Sequence, residues 1–480
     1  MKNFFTLKDG KSRIANIPYD EYLTVPPAEN YILPRGISED ETAENNSLAI
    51  QNAINSAKKT NGTVFIPNGR YNITFLKMKS GVTLYLSRNA TLVSVDFEKY
   101  NALSKKERAI ISANGAENFC ITGGGTIEGK GLSFTKEPMC STPLLPLSKF
   151  NLYTRVIEAR KRIRMAKAPE KERPYMILLK NCKNAVINSI RLKDSACWTC
   201  VLSNCFDCKI ENLVIDNHLH IANADGIDIT GGKDIAVKHC FIATADDAVC
   251  IKSSDSNVSD ITVCDILATS FANCFKIGTE TEFDIKNITV QNCFFFMPEN
   301  ITGGYAGIAV ESADGANISD VTVKNIMLDG ISSPALVWLG NRLRRGRAKT
   351  GSMKNILIEN IEAKNAELPC AITGCRDENV KNVVFKNFSI AYRNTNESLE
   401  IKENVSDYSM NDYPEITRVS HRFNRTHEES EYYSLPCFGV YIRFAEDVVI
   451  ENFKCKPRSV NTLSELKVEE NADVKTFNVS

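Results

Sequence analysis

The sequence contains no apolar run near the roughly 20 residues that a membrane-spanning helix needs. Neither charge is in excess: 58 Lys and Arg stand against 58 Asp and Glu. A neutral chain argues against nucleic acid as the main partner, and no membrane partner is expected. Histidine is scarce. Of His218, His220, His239, His421 and His427, only His218 and His220 fall close together, and they make a weak pair, so no metal site and no cofactor are expected. The N-terminal stretch Met1–Asp9 turns polar at once and lacks the apolar core of a secretory leader.

Cysteine, by contrast, is plentiful, with sixteen residues. Two CxxC pairs occur, Cys197 with Cys200 and Cys205 with Cys208, but only four residues separate the pairs, far fewer than a zinc ribbon's spacer. Cys240, Cys250 and Cys293 fall in apolar runs where a β core would bury them. The expectation is of reduced, packed thiols in a cytoplasmic protein. Asn-x-Ser/Thr sites at Asn72, Asn287 and Asn317 fit a chain that avoids the glycosylating route.

Residues 1–35 read as an irregular segment, with Pro18, Pro26, Pro27 and Pro34. A helix follows: Asn46 and Ser47 precede Leu48, Ile50 and Ile54 at near-helical spacing, and Gly62 ends it. Strands then begin at Thr63–Ile66 and Val82–Leu86.

From there a repeat organises the chain. Its core is an apolar residue, any residue, and a second apolar residue, with Asn often two places later. It occurs as Ala185-Val186-Ile187, Cys208-Lys209-Ile210, Ile235-Ala236-Val237, Ile261-Thr262-Val263, Ile288-Thr289-Val290, Val321-Thr322-Val323, Ile356-Leu357-Ile358, Val383-Val384-Phe385 and Val448-Val449-Ile450. Successive starts at 208, 235, 261, 288, 321, 356 and 383 give steps of 27, 26, 27, 33, 35 and 27. Asn212, Asn292, Asn325, Asn360, Asn387 and Asn452 recur at one place in the unit.

A helical repeat of this length needs ten-residue amphipathic runs. These runs are three to five residues, rich in Ile and Val and bounded by Gly, Asn and Asp, so the fold class is all-β and the architecture a β solenoid over 36–480. Stacked Asn side chains are expected to bond the backbone of the next rung. Three stretches break the period, 131–173, 342–353 and 391–436, and the first two are basic, with Arg155, Arg160, Arg164 and Arg173 in one and Arg342, Arg344 and Arg345 in the other. Insertions in solenoids map to loops, often on the binding face. Two basic insertions on a neutral chain favour an anionic ligand over a merely solvated surface. Solenoids also build phage fibres and adhesins, so the architecture leaves function open.

Chemistry is concentrated in Asn223-Ala224-Asp225-Gly226-Ile227-Asp228 and in Asp246-Asp247. Either alone is a common turn sequence. In a solenoid, however, 21 positions is a little less than one repeat, so Asp225 and Asp246 can reach neighbouring rungs. Adjacent Asp246 and Asp247 would point to opposite faces of a regular strand, so a turn or bulge must bring both to one cleft. Clustered carboxylates repel, which keeps a proton on one while another is ionised, as glycosidic bond hydrolysis requires.

Asn223–Asp228, Asp246-Asp247 and Lys276-Ile277-Gly278-Thr279, in that order, resemble the polygalacturonase family, glycoside hydrolase family 28, over roughly 36–390. The resemblance implies a right-handed parallel β-helix and an inverting hydrolase acting on pectin. Asp246 would be the general acid, while Asp225 and Asp247 would hold the attacking water, with roughly 6.5–9.5 Å between acid and base carboxyl groups. Asn223, Asp228, Lys252, Asn273, Lys276, Glu311 and Arg342 would contact substrate. The chain departs from the family at two places: Ala272-Asn273-Cys274 stands for Gly-His-Gly, and Ala309-Val310-Glu311 for the Arg-Ile-Lys that grips the galacturonate carboxylate. Lys276, Arg342 or Lys252 could restore that grip; Glu311 could instead bond neutral hydroxyls of a rhamnose-containing sugar. The expected partner is an anionic oligosaccharide or polysaccharide, cut by exo action. A β-helix lyase, an epimerase or transferase, and a non-catalytic binding module remain alternatives.

Overall fold

The computed structural model describes residues 30–136, 166–219, 221–297, 304–342, 349–393, 418–419, 431–432, 435–456, 463–469 and 471–480. Most of the three expected insertions, together with His220, His421 and His427, lies outside the described residues. The chain divides into two compact units, one of residues 1–141, 162–248 and 262–267, the other of 142–161, 249–261 and 268–480.

In the first unit, the segment expected to be irregular ends in a strand, Tyr31–Ile32, paired in parallel with Thr63 and Val64. The helix runs Ala43–Ala57, capped by Thr42, whose side chain accepts from the Asn45 N–H at 3.2 Å. Ile50 and Ile54 are fully buried, but Leu48 is 61% exposed; Asn46, Ser47 and Ala53 complete the inner face instead. The strands then coil. Tyr175–Lys180, Val186–Asn188 and Arg191–Lys193 make one turn, and Cys200–Ser203, Lys209–Glu211 and Val214–Asp216 the next. Neighbouring turns pair in parallel: Ile121 lies opposite Ile187, Ile187 opposite Ile210, and Ile210 opposite Val237, all fully buried. Both apolar residues of the repeat thus face inward, stacked on their equivalents.

The second unit repeats this arrangement with longer strands, Ile285–Phe296, Ile318–Asp329, Met353–Ala366, Val380–Tyr392 and Ala445–Lys456. Ile288, Val321, Ile356, Val383 and Val448 stack in register. Phe385, Phe388 and Phe453 add stacked rings with centroids 4.9 and 5.1 Å apart. Both units are built of parallel β-helical turns.

The recurrent Asn bonds differently from expectation. Asn360 donates its side-chain amide to Asn325 Oδ1 (2.9 Å) and accepts from Asn387 Nδ2 (2.8 Å); Asn325 donates to Asn292 and Asn452 to Asn387 in the same way. The contact is amide to amide, because each Asn sits at a strand corner with φ between 51° and 59° and its side chain points along the stack. Few residues tolerate that left-handed conformation as well as Asn. Asn360→Ala is expected to cost about 2–5 kcal/mol, from about 1–2 of backbone strain and about 0.5–1.5 for each of its two amide bonds. Asn360→Gly should lose only the bonds, so a denaturant titration that fails to rank Gly above Ala contradicts this account.

Candidate active site

In the first unit the loop Ile221–Gly226 feeds the strand Ile227–Ile229, which pairs with Cys200–Ser203. Asn223 turns the chain with φ 60°. Its side-chain oxygen accepts from Arg173 Nη2 at 2.8 Å, and its N–H donates to Asp246 Oδ2 at 3.3 Å. Arg173 is 2% exposed, and its Nη1 donates to the carbonyls of Ala196 and Ala222, both at 2.8 Å. This arginine, placed by sequence among the basic insertion residues, is instead the buried brace of the Asn223 turn.

Gly226 lets two rungs close. A Cβ there would come within 2.3 Å of the Ala248 carbonyl, while the Gly226 N–H donates to Asp247 O at 2.9 Å. Asp246 and Asp247 follow the strand Phe241–Thr244 in a bend, which is the break in alternation that the adjacent pair required. The Asp247 N–H donates to Asp246 Oδ1 at 3.0 Å, and the Thr244 hydroxyl donates to the Ala224 carbonyl. Below them Asn217 Nδ2 donates to Thr199 Oγ1 (2.7 Å) and Thr244 Oγ1 (3.2 Å).

One oxygen each from Asp225, Asp246 and Asp247 lies within 4.8 Å of the others. Asp225 and Asp247 are each 3% exposed; Asp246 is half-buried. One oxygen of each stands this close to the others because all three are drawn onto one corner of adjoining rungs. Oxygens at this spacing could also bracket a hard cation; among the described residues no other group of three or more His, Cys, Asp and Glu side chains converges so. Asp228, expected at the substrate, has no exposed surface and is a buried carboxyl group of its strand. Cys197, Cys200, Cys205 and Cys208 are buried thiols, and burial pushes Cys197 up to about 12.

The remaining expected ligands belong to the second unit. Lys252 lies on Val249–Ser253, Asn273 and Lys276 on Asn273–Thr281, and Glu311 on Ala306–Ser312, each 6% exposed or less. Lys276 Nζ stands 3.8 Å from Glu311 Oε2, so Glu311 is a strand residue in an ion pair rather than a turn-facing charge. Gly278, at φ 107°, permits this approach: a Cβ would meet the Glu311 carbonyl at 2.4 Å. The Arg342 side chain is committed inward, with Nε 3.0 Å from Asp314 Oδ1, Nη2 on Asp314 Oδ2, and Nη2 donating to the Thr279 carbonyl at 3.0 Å. Burial pushes the Glu280 carboxyl up, but Lys252, Arg342 and Lys276 together outweigh it and hold the group below its ordinary value. Lys252, Lys276 and Arg342 thus share their surroundings with as many carboxyl groups, Glu280, Glu311 and Asp314.

Against known proteins, the model for glycosyl hydrolases family 28 matches residues 57–410. The chain belongs to glycoside hydrolase family 28. It is similar to an endo-polygalacturonase of Pectobacterium carotovorum, 25% identical over 324 residues that cover 62% of this chain and 74% of that one. A probable polygalacturonase of Arabidopsis thaliana is 26% identical over 168 residues, 34% of this chain and 35% of the relative, so this chain spans about a third of that protein's length. The fold is similar to that of a family 28 exopolygalacturonase from Yersinia enterocolitica, with TM-score 0.61, 16% identity and coverage of 94% of this chain and 78% of that one. The family is one of inverting hydrolases, and its implied substrate is a pectin-type polysaccharide.

The second unit's cluster gives two expected outcomes. Asp314→Asn strands the Arg342 charge inside the protein and should cost about 3–5 kcal/mol. Glu280→Gln, whose side chain is 34% exposed, should cost no more than about 1 kcal/mol at neutral pH. The folded carboxyl of Glu280 lies below its unfolded value, so its contribution is present above the ordinary carboxylate range and fades as pH falls through the lowered folded value. Denaturant titrations of wild type and Glu280→Gln should therefore converge in acid; a gap that widens in acid reverses the sign.

Proposed function

We propose that this chain hydrolyses glycosidic bonds of galacturonate-containing, pectin-derived oligosaccharides with inversion, by exo action. The observation that carries the reading is the convergence of Asp225, Asp246 and Asp247 within 4.8 Å in a chain of this family. Three carboxylates so close cannot all ionise cheaply, so the cluster retains a proton to give. Asp246, the least enclosed, is the general acid: its proton passes to the glycosidic oxygen as the bond to the anomeric carbon breaks. Asp225 and Asp247 orient water and take its proton as its oxygen bonds that carbon from the opposite face. Asn223 and Arg173 set the loop that carries Asp225.

Exo action follows from where such a chain would work. The fifteen described cysteines are free and mostly buried, which suits a reducing cytoplasm where only short, imported chains arrive. Named relatives include both an endo- and an exo-acting polygalacturonase, so products decide the mode. The second unit favours one other reading, a rhamnogalacturonan-type substrate, because Lys276 and Arg342 face carboxylates of their own chain and offer no net positive charge to a uronate.

Wild type and Asp246→Asn, assayed on homogalacturonan and rhamnogalacturonan oligosaccharides, separate these readings. Wild type should release saturated monomer first, with the fresh anomer inverted by NMR. Asp246→Asn should lose about 10²–10⁴ in kcat with KM little changed. An unsaturated product would make the chain a lyase, and activity indifferent to Asp246 would remove the acid assignment.

A further inference from the structure

The first unit holds a second feature, a cavity of about 430 Å³ lined by Lys58, Lys77, Lys79, Glu107, Arg108 and Lys180 among others. Five cations meet one carboxylate there, in a chain whose formal net charge is zero. Two of the cations are already answered: Lys77 Nζ lies 2.9 Å from Glu107, and Arg108 lies 3.7 Å from Glu170. Among the described residues no carboxylate lies in ion-pair range of Lys58, Lys79 or Lys180. Lys58 follows the helix Ala43–Ala57, Lys79 follows the strand Leu76–Lys77, and Lys180 ends Tyr175–Lys180, so rigid elements carry all three to one hollow.

Register ties this hollow to the carboxylates. Asp247 lies opposite Asp225, since Gly226 N–H donates to Asp247 O and Ile227 N–H to Ala248 O. The pairing of Cys200 with Ile227 places Trp198 opposite Asp225, and that of Ile177 with Cys200 places Tyr175 opposite Trp198. Tyr175 in turn lies opposite Ala109, a wall residue of the cavity. Side chains stack over part of this column. The Trp198 and Tyr175 rings stack with centroids 5.2 Å apart and planes 3° from parallel, and the Arg108 guanidinium sits 3.8 Å from the Tyr175 ring centre. At roughly 4.8 Å per rung Ala109 is about 14 Å from Asp225, while Lys180 and Lys79, both aligned with Asn114, lie five residues, about 16 Å, further along the strands.

We propose that this cavity is a remote subsite for a carboxylate-bearing sugar unit of the substrate, with Lys79 and Lys180 as its anion ligands. The proposal rests on the galacturonide reading above. A compact ammonium group binds a carboxylate as a point charge, and Lys180 and Lys79, two and four rungs from Asp225 and about 16 Å along the strands from its column, are reached only by longer chains. It therefore discriminates by length and charge and leaves the chemistry to Asp225, Asp246 and Asp247.

The test uses the full chain carrying Asp246→Asn, with and without Lys79→Ala/Lys180→Ala, and calorimetric binding of hexagalacturonate, digalacturonate and methyl-esterified hexagalacturonate. The double lysine variant should bind hexagalacturonate about tenfold more weakly, with the other two ligands unchanged, and Lys79→Arg/Lys180→Arg should restore binding. An equal loss for dimer and hexamer would reduce the lysines to a general field and overturn the subsite, as would unchanged hexamer binding. Turnover by wild type runs alongside. Saturated product with unchanged hexamer binding removes the subsite alone; no product from any galacturonide removes the reading and the subsite with it.

Discussion

Parallel in-register pairing is the constraint on which everything else in this chain depends. When each rung repeats the register of the last, a side chain's neighbours are its own equivalents one rung away. Inward positions become files of Ile and Val, such as Ile121, Ile187, Ile210 and Val237. A corner that needs a left-handed residue needs it again in every rung, which is why Asn recurs and why its amides chain together. The same rule acts on polar residues. Asp225 and Asp247, 22 positions apart, become neighbours because the register leaves them no other place.

The two units meet the problem of buried charge in opposite ways. In the second, Lys276 faces Glu311, and Arg342 grips Asp314 with two nitrogens, a geometry that offsets desolvation about as well as a protein can. In the first, three carboxylates are pressed together, and the nearby buried cation, Arg173, spends its hydrogen bonds on two carbonyls and the Asn223 amide. Like charges held at one corner weaken a fold. Their persistence there points to chemistry rather than to stability.

Much of this is legible in the sequence because a solenoid writes its structure as a period. The steps near 27 residues, the apolar-x-apolar core and the recurrent Asn locate the strands and their inward faces; the two acidic clusters, a little less than one period apart, locate the candidate site. What escapes is whatever depends on contacts between side chains of no fixed spacing. Nothing near Arg342 in sequence announces Asp314, 28 residues away, as its partner. Arg173 reads as one more cation of a basic insertion, and only the fold shows it turned inward on a loop 50 residues away. Leu48 has helical spacing yet faces outward, because two neighbouring polar residues, Asn46 and Ser47, are the buried ones.

Register also explains how one scaffold can separate catalysis from recognition. A ligand lying along the rungs meets a new set of outward side chains about every 4.8 Å, so changes in one rung leave the next rung's backbone unaltered. The departures from the family's motifs, at Ala272-Asn273-Cys274 and Ala309-Val310-Glu311, lie in the second unit, whereas Asp225, Asp246 and Asp247 lie in the first. Glu311 has a local partner, Lys276, within the strands that carry the two. A solenoid can therefore revise what it binds rung by rung while the corner that holds the carboxylates keeps its geometry.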